Sequence, residues 1–202
     1  MFRVTCDARI RTDLSLINCG FSRNPRRDWT RGREQSTFTW NDLLIAVCIA
    51  IPTYVANSTP VLLGGGAPID RGSNFIDGRR IFGSNKTIKG FVSGLVLGTL
   101  AGAGEAAFFT NQSLLLVGSV ASFGALLGDL VGAFVKRRLD IAPGNPLPIV
   151  DQLDFILGAI ILAFPLLPVS AGAFLILLAA TIPIHLLANA AAYLLGLKRR
   201  LW

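Results

Sequence analysis

Residues 128–154, GDLVGAFVKRRLDIAPGNPLPIVDQLD, place a cluster of charges between two long apolar segments. A charged side chain at the centre of a bilayer costs roughly 3 kcal/mol on insertion scales, so charges beside apolar segments usually mark a functional site. We therefore expect a membrane protein with its site in this stretch. The charges that favour this interpretation are Asp129, Lys136, Arg137, Asp140, Asp151 and Asp154.

The composition supports a membrane protein. Of the 202 residues, 52% are hydrophobic and only 15% are charged, which is far from the balance of soluble proteins. A bilayer core needs about 20 apolar residues per helix. Five stretches qualify, so we predict an all-α integral membrane protein with about five transmembrane helices, near 41–63, 89–109, 113–135, 152–168 and 171–195.

The basic residues predict an orientation, because short loops rich in Lys and Arg stay in the cytoplasm. The loop after helix 1 and the loop after helix 3 are basic, and so is the C-terminus with Lys198, Arg199 and Arg200. The two intervening loops carry no charge. We expect a multi-pass protein of the cell membrane with a cytoplasm-facing polar pocket, a cytoplasmic C-terminus and an N-terminus outside.

The first 38 residues are different in character. They contain eight Arg and four acidic residues, without a signal-peptide core or the periodicity of a helix or strand. We predict a disordered basic segment over 1–38 and one membrane domain over 39–202. The same hypothesis extends to a segment that is not part of the native protein, and the alternative is a short translocated basic tail. The cysteines Cys6, Cys19 and Cys48 suggest neither a disulfide framework nor a zinc site.

The loop before helix 2, residues 77–90, has the chemistry of a phosphate cradle. Small residues expose backbone N–H groups, and bases stand at the mouth of a helix, where anions bind well. The spacing is not that of a Walker A loop. The alternative is a basic membrane anchor, which gives no reason for the small and hydroxylated residues. The candidate ligand-binding residues are Asp77, Arg79, Arg80, Ser84, Lys86, Thr87 and Lys89.

Three carboxylates are expected to meet near the loop after helix 3. Asp129 lies seven residues before Lys136 on one helix face, and Asp151 and Asp154 share a face at the start of helix 4. Hard carboxylate oxygens suit Mg²⁺, which binds one or two carboxylates together with phosphate oxygens and water. Helix capping is an alternative for Asp151, and interfacial anchoring is one for Lys136 and Arg137.

These motifs resemble the signature of the phosphatidate cytidylyltransferases. The matching residues are Gly128-Asp129-Leu130, Lys136-Arg137, Asp140, Pro148 and Asp151-Gln-Leu-Asp154, with Ser84-Asn-Lys86-Thr87-Ile-Lys89-Gly90 similar to a second motif. Lys89 replaces the usual acid there, and the bacterial His-Gly-Gly is absent. The short archaeal branch, the CDP-archaeol synthases, is more similar still through Tyr54-Val-Ala-Asn57, Gly64-Gly-Gly-Ala-Pro-Ile-Asp70, Asp77-Gly-Arg-Arg80 and DQLDF.

The resemblance implies a CTP-dependent nucleotidyltransferase of membrane phospholipid biosynthesis. It would transfer CMP from CTP to a phosphorylated isoprenoid glycerol ether lipid, giving a CDP-lipid and pyrophosphate. The implied partners are CTP, this lipid and the bilayer, without nucleic acid, and a homodimer is left open. The implied catalytic residues are Asp129, Asp151, Asp154, Lys136 and Arg137, with Mg²⁺ on the three aspartates. Asn57 joins the loop residues 77–89 in binding the nucleotide.

Two other functions stay open at this stage. A small cation-coupled membrane transporter would also place carboxylates inside a membrane, although it should show polar residues toward both faces. An enzyme using ATP on the same lipid would share the phosphate-binding residues. Glu105, 16 residues into helix 2 and so about 24 Å from the loop, is expected at the outer interface in a structural role. His185 is expected to bond a freed carbonyl or Asn189 rather than a metal.

Overall fold

The computed structural model describes residues 38–145, 147, 149–194 and 196. They form five α-helices: α1 Trp40–Leu63, α2 Ile88–Phe108, α3 Ser113–Arg138, α4 Val150–Ala163 and α5 Ala171–Leu194. The all-helical prediction is confirmed. The basic segment 1–38 lies outside the described residues except for its last position, so the division into 1–38 and 39–202 stays a prediction.

Helix α4 is shorter than predicted, because it ends at Ala163 rather than at 168. Pro165 has no N–H to donate to a helix carbonyl, so it interrupts the helical hydrogen bonds here. The N–H groups of Leu166 and Leu167 both turn back to the Ala163 carbonyl at 2.9 Å. Its 14 residues span about 21 Å. By length and composition, the described helices that can cross a bilayer are α1, α2 and α3.

Helix α3 continues three residues past its predicted end, to Arg138. Lys136, Arg137 and Arg138 therefore occupy its last turn, and the prediction that they lie in a loop is wrong. Cations in this position interact favourably with the unpaired carbonyls and negative dipole end of the helix. Their spacing along α3 is consequently helical and fixed relative to Asp129, two turns earlier.

Small residues bring the helices of the core close together. A Cβ added at Gly98 of α2 would lie 2.3 Å from Ser122 Oγ of α3, and one at Gly128 of α3 would lie 2.1 Å from the Asp154 carbonyl oxygen of α4. Such contacts between backbones are typical of helices packed within membranes. Helix α5 packs on α1 and α4, and Tyr54 and Thr181 share a hydrogen bond of 2.8 Å between α1 and α5.

The loop 64–87 folds back on itself before α2 begins. Ile69 N–H donates to the Lys86 carbonyl at 2.8 Å, and Ile88 N–H donates to the Ala67 carbonyl at 3.0 Å. Thr87 caps α2 by accepting the Gly90 N–H at 3.1 Å. The ends of the loop are therefore pinned together, and its middle is presented to the end of α3.

Glu105 lies in the last turn of α2, as far from the loop as expected, but it is buried, with 6% of its surface exposed. Its neighbour on α1 is the buried free thiol of Cys48. Neither carboxylate oxygen has a hydrogen-bond partner among the described residues. Glu105 therefore lies at the predicted end of α2, but helix packing encloses its side chain, and its position at the outer interface stays a prediction.

Candidate active site

A lysine of the loop meets a carboxylate of α3. Lys86 Nζ lies 2.5 Å from both carboxylate oxygens of Asp129. Both side chains keep about a quarter of their surface exposed. The phosphate-cradle motif and the carboxylate motif, 43 positions apart in sequence, therefore form one site.

A second ion pair joins α3 to the start of α4. Lys136 Nζ lies 2.9 and 2.8 Å from the carboxylate oxygens of Asp151. Asp151 also accepts the N–H of Leu147, in the segment before α4, at 2.9 Å. The α4 N-cap position is occupied by Ile149, which makes no side-chain cap. Asp151 thus connects the end of α3 with the chain entering α4.

Asp154 lies between the two ion pairs. Its Oδ1 accepts the N–H of Phe155 at 2.7 Å, and its side chain packs on Gly132, where an added Cβ would lie 1.9 Å from Oδ2. Asp129, Asp151 and Lys86 all interact with it electrostatically. The three predicted carboxylates are therefore close enough to interact electrostatically. Asp129 and Asp151 each contact a lysine, and Asp154 does not.

The donor chemistry of this site fits Mg²⁺. In the described ranges, no three His, Cys, Asp or Glu side chains are grouped closely enough to form a metal site from protein ligands alone. Mg²⁺ usually takes only one or two carboxylates and completes its shell with phosphate oxygens and water. Mutually repelling hard-oxygen ligands beside one another favour a cation. Magnesium binding by Asp129, Asp151 and Asp154 stays a prediction.

Arg137 points toward the loop. Only 8% of its surface is exposed, and its side chain lies beside Gly83, where an added Cβ would be 3.7 Å from Arg137 Nε, an ordinary van der Waals distance. That Nε atom is buried without a hydrogen-bond partner among the described residues. Asp151 is the nearby negative charge. Arg137 is therefore a buried cation at the junction of the loop and α3.

Three predicted nucleotide-binding residues have partners within the protein: Arg79 and Asp77 hold the loop on α3, and Arg80 pairs inside the loop. Arg79 donates to the Arg138 carbonyl at 2.7 Å. Asp77 lies 3.0 Å from Arg138 Nε, and the Arg138 guanidinium stacks on Phe75 and Phe134 at 4.9 and 4.7 Å. Arg80 forms an ion pair with Asp70. These contacts occupy side chains that sequence reasoning assigned to the nucleotide.

The other predicted binding residues differ in accessibility. Thr87 is engaged in capping α2, whereas Ser84 is exposed on the loop and Lys89 is exposed in the first turn of α2. Asn57 is partly buried on α1, two turns before the loop. The side chain of His185 lies outside the described residues. None of the side chains of Lys89, Ser84 and Asn57 forms a hydrogen bond or an ion pair with Asp129, Asp151 or Asp154 in the described part of the chain.

Sequence reasoning gave no role to Asp70, although the structure makes it the centre of the loop. Burial would raise the pKa of its carboxyl group, but hydrogen bonds from Arg80 and from the N–H groups of Gly83, Gly72 and Phe82 outweigh that effect. They hold the pKa of Asp70 well below its ordinary value. The sequence signal that could have indicated this role was an acidic residue in a glycine-rich loop that also contains the adjacent pair Arg79 and Arg80.

A family model described as CarS-like, CDP-archaeol synthase, matches residues 40–202. The chain belongs to the CDP-archaeol synthase family. It is 45% identical to the CDP-archaeol synthase of Methanococcus aeolicus, over 75% of this chain and 92% of that protein. It is 44% identical to the synthases of Pyrococcus abyssi and Aeropyrum pernix, over 80% of this chain and 99% and 94% of those proteins.

A solved structure of an intramembrane enzyme for archaeal membrane lipid biosynthesis is similar as well. It shares 41% identity and a TM-score of 0.69, over 72% of this chain and 93% of the other. The resemblance to CDP-archaeol synthases is thus confirmed, and the apolar helices belong to a membrane protein. None of these comparisons supports the transporter alternative.

Proposed function

We propose that the site around Asp154 transfers CMP from CTP to the phosphate of an isoprenoid glycerol ether lipid. The observation that carries the proposal is the contact between Lys86 and Asp129, which places a phosphate-binding loop and a carboxylate cluster in one site. Membership of the CDP-archaeol synthase family supports both substrates. The loop 64–87 and the C-terminus would face the cytoplasm, where CTP is available.

The reaction needs no side-chain nucleophile. An oxygen of the lipid phosphate attacks the α-phosphorus of CTP, a new P–O bond forms, and the bond to the β-phosphate oxygen breaks to release pyrophosphate. A phosphate monoester has a second pKa near about 6, so it is mostly a dianion at neutral pH. Since the nucleophile already carries its charge, no general base has to remove a proton.

The residues of the site would bind and orient the triphosphate and neutralise its negative charge. Lys86, Lys136 and Arg137 offer positive charge to a triphosphate and to the departing pyrophosphate, as in other phosphoryl-transfer sites. Asp129, Asp151 and Asp154 would hold Mg²⁺, which when bound withdraws charge from phosphate oxygens. Binding of the triphosphate would then separate Lys86 from Asp129, because both groups gain partners of opposite charge.

The first test is a transfer assay in detergent. Purified protein with Mg²⁺ and a phosphorylated isoprenoid ether lipid is supplied with each of four radiolabelled nucleoside triphosphates, and label in the lipid is counted. We expect transfer from CTP alone. Transfer from ATP with equal efficiency would contradict the assignment of the nucleotide, and no transfer from any nucleotide would refute the proposed function.

The second test is Asp154→Asn. Its loss of charge should weaken cation binding and lower kcat by about a hundredfold or more, while the protein keeps its thermal unfolding midpoint. Asp42→Asn is the matched control, since Asp42 lies in the first turn of α1, about 30 Å along that helix from the loop. Wild-type turnover by the Asp154 variant at ordinary Mg²⁺ concentration would contradict its role.

A further inference from the structure

The side chain of Asp70 is fully buried, with 0% of its surface exposed, in a loop that is otherwise largely exposed. Its Oδ1 accepts the Gly72 N–H at 3.1 Å and a bond from Arg80 Nη2. Its Oδ2 accepts the N–H groups of Phe82 at 3.1 Å and Gly83 at 2.9 Å. One carboxylate thus receives four donors, all from the loop itself.

These bonds determine where residues 83–86 lie. Gly83 is held at its N–H by Asp70, and its carbonyl accepts the Lys86 N–H at 3.4 Å. The Lys86 carbonyl accepts the N–H of Ile69, the neighbour of Asp70, at 2.8 Å. The segment that carries Lys86 is therefore fastened at both ends to two consecutive residues, and its lysine reaches Asp129.

The same bonds set the contact between the loop and α3. Gly83 has a φ of +99°, a conformation that glycine adopts without strain. A Cβ at this position would lie 3.4 Å from Pro143 and 3.7 Å from the Arg137 side chain. A shift of the Gly83 backbone would therefore disturb Lys86 and Arg137 together, and these are two of the cations assigned to the triphosphate.

We propose that Asp70 is a positioning residue for CTP: it holds Gly83 and Lys86 in the arrangement that receives the triphosphate, and it also engages Arg80 so that this cation stays out of the site. Asp70 does not touch the substrates. The inference rests on the proposed function. It predicts a defect specific to CTP, whereas a carboxylate that only stabilises the fold would affect neither substrate selectively.

Asp70→Asn tests the proposal because it keeps the shape of the side chain but loses the charge and one acceptor. We expect the KM for CTP to rise about tenfold or more, the usual effect of losing hydrogen bonds to a charged group. The KM for the lipid should stay within about twofold. Amide hydrogen exchange of residues 82–86 should accelerate about tenfold, because Asp70 protects two of these N–H groups directly.

Asp42→Asn again provides the matched control. Asp42 is also a hydrogen-bonded carboxylate, accepting from Thr39 N–H and the Ser170 hydroxyl, but it stands at the other end of α1. This variant should lower the unfolding midpoint without changing either KM or the exchange of 82–86. Asp70→Glu, which keeps the charge in a fully buried position, should fold and show a smaller increase in the KM for CTP.

Two results would overturn the proposal. An unchanged KM for CTP with faster exchange at 82–86 would make Asp70 a structural residue only, and unchanged exchange would show that it does not hold the segment. Equilibrium dialysis of CTP against wild type and variant separates this inference from the proposed function. If the wild type makes no CDP-lipid, the proposed function fails, and the ratio of CTP affinities still decides the role of Asp70.

Discussion

Asp70 also illustrates how a buried carboxylate ties stability to pH. Its pKa is held below the ordinary value by the donors around it, so its stabilisation is fully present above the unfolded-state pKa of about 3.9 and is lost as pH falls through the folded-state pKa. We expect Asp70→Asn to lose about 3 kcal/mol at neutral pH. Thermal unfolding in detergent should show this difference constant from pH 8 to pH 5 and shrinking below about pH 4. A difference that grows on acidification would have the wrong sign.

Glu105 presents the opposite case, a buried carboxylate without partners among the described residues. Burying a charge without a partner is costly, so the side chain subtracts from stability unless its charge is used. Glu105→Gln keeps the shape and cannot be charged. We expect an equal or higher unfolding midpoint and unchanged transfer activity, because Glu105 is about 25 Å along α2 from the loop. Slower turnover in a folded Gln variant would give Glu105 a role in the reaction.

At the scale of helices, the approach of α3 to α4 positions Asp154. A Cβ at Gly128 would lie 2.1 Å from the Asp154 carbonyl oxygen, whereas one at Gly104 of α2 would meet nothing within 4 Å. Gly128→Ala should therefore separate the helices, costing about 1–3 kcal/mol and most of the activity. Gly104→Ala should gain up to about 1 kcal/mol from helix propensity. Unfolding midpoints and the CMP-transfer assay measure both, and equal behaviour of the two variants would contradict close packing.

Hydropathy predicted the helices well because long apolar segments have few alternatives in a membrane. It placed the end of α4 too late, because Pro165 interrupts the helix within an apolar run. It placed the end of α3 too early, because the helix continues through three basic residues. The phosphate-binding loop and the carboxylates could be assigned to one polar pocket, since their chemistry is complementary, but the pattern did not predict the contact of Lys86 with Asp129. The partners of Arg79 and Arg80 could not, because a base that binds a carbonyl or a buried aspartate looks in sequence like one that binds phosphate.

At the scale of the whole molecule, the basic segments and the site lie at the same end of the helices, and the uncharged turn lies at the other. The loop 64–87 and the last turn of α3 carry the lysines of the two described ion pairs of the site. At the opposite end, α2 and α3 are joined by a short uncharged turn at residues 109–112. Basic segments are retained in the cytoplasm, and CTP is a cytoplasmic substrate. We therefore predict that the site opens to the cytoplasm, where its nucleotide is available.

This orientation can be measured with single cysteines placed at the two ends. Ser73 lies exposed in the loop 64–87, and Gln112 lies exposed in the turn before α3. In a background without the native cysteines, a membrane-impermeant maleimide should label Ser73→Cys only in inverted vesicles and Gln112→Cys only on intact cells. Permeabilised cells, in which both positions should react, control for accessibility. Labelling of both from one side would contradict the membrane crossings of α2, and the reversed pattern would place the loop, and with it the CTP site, outside the cell.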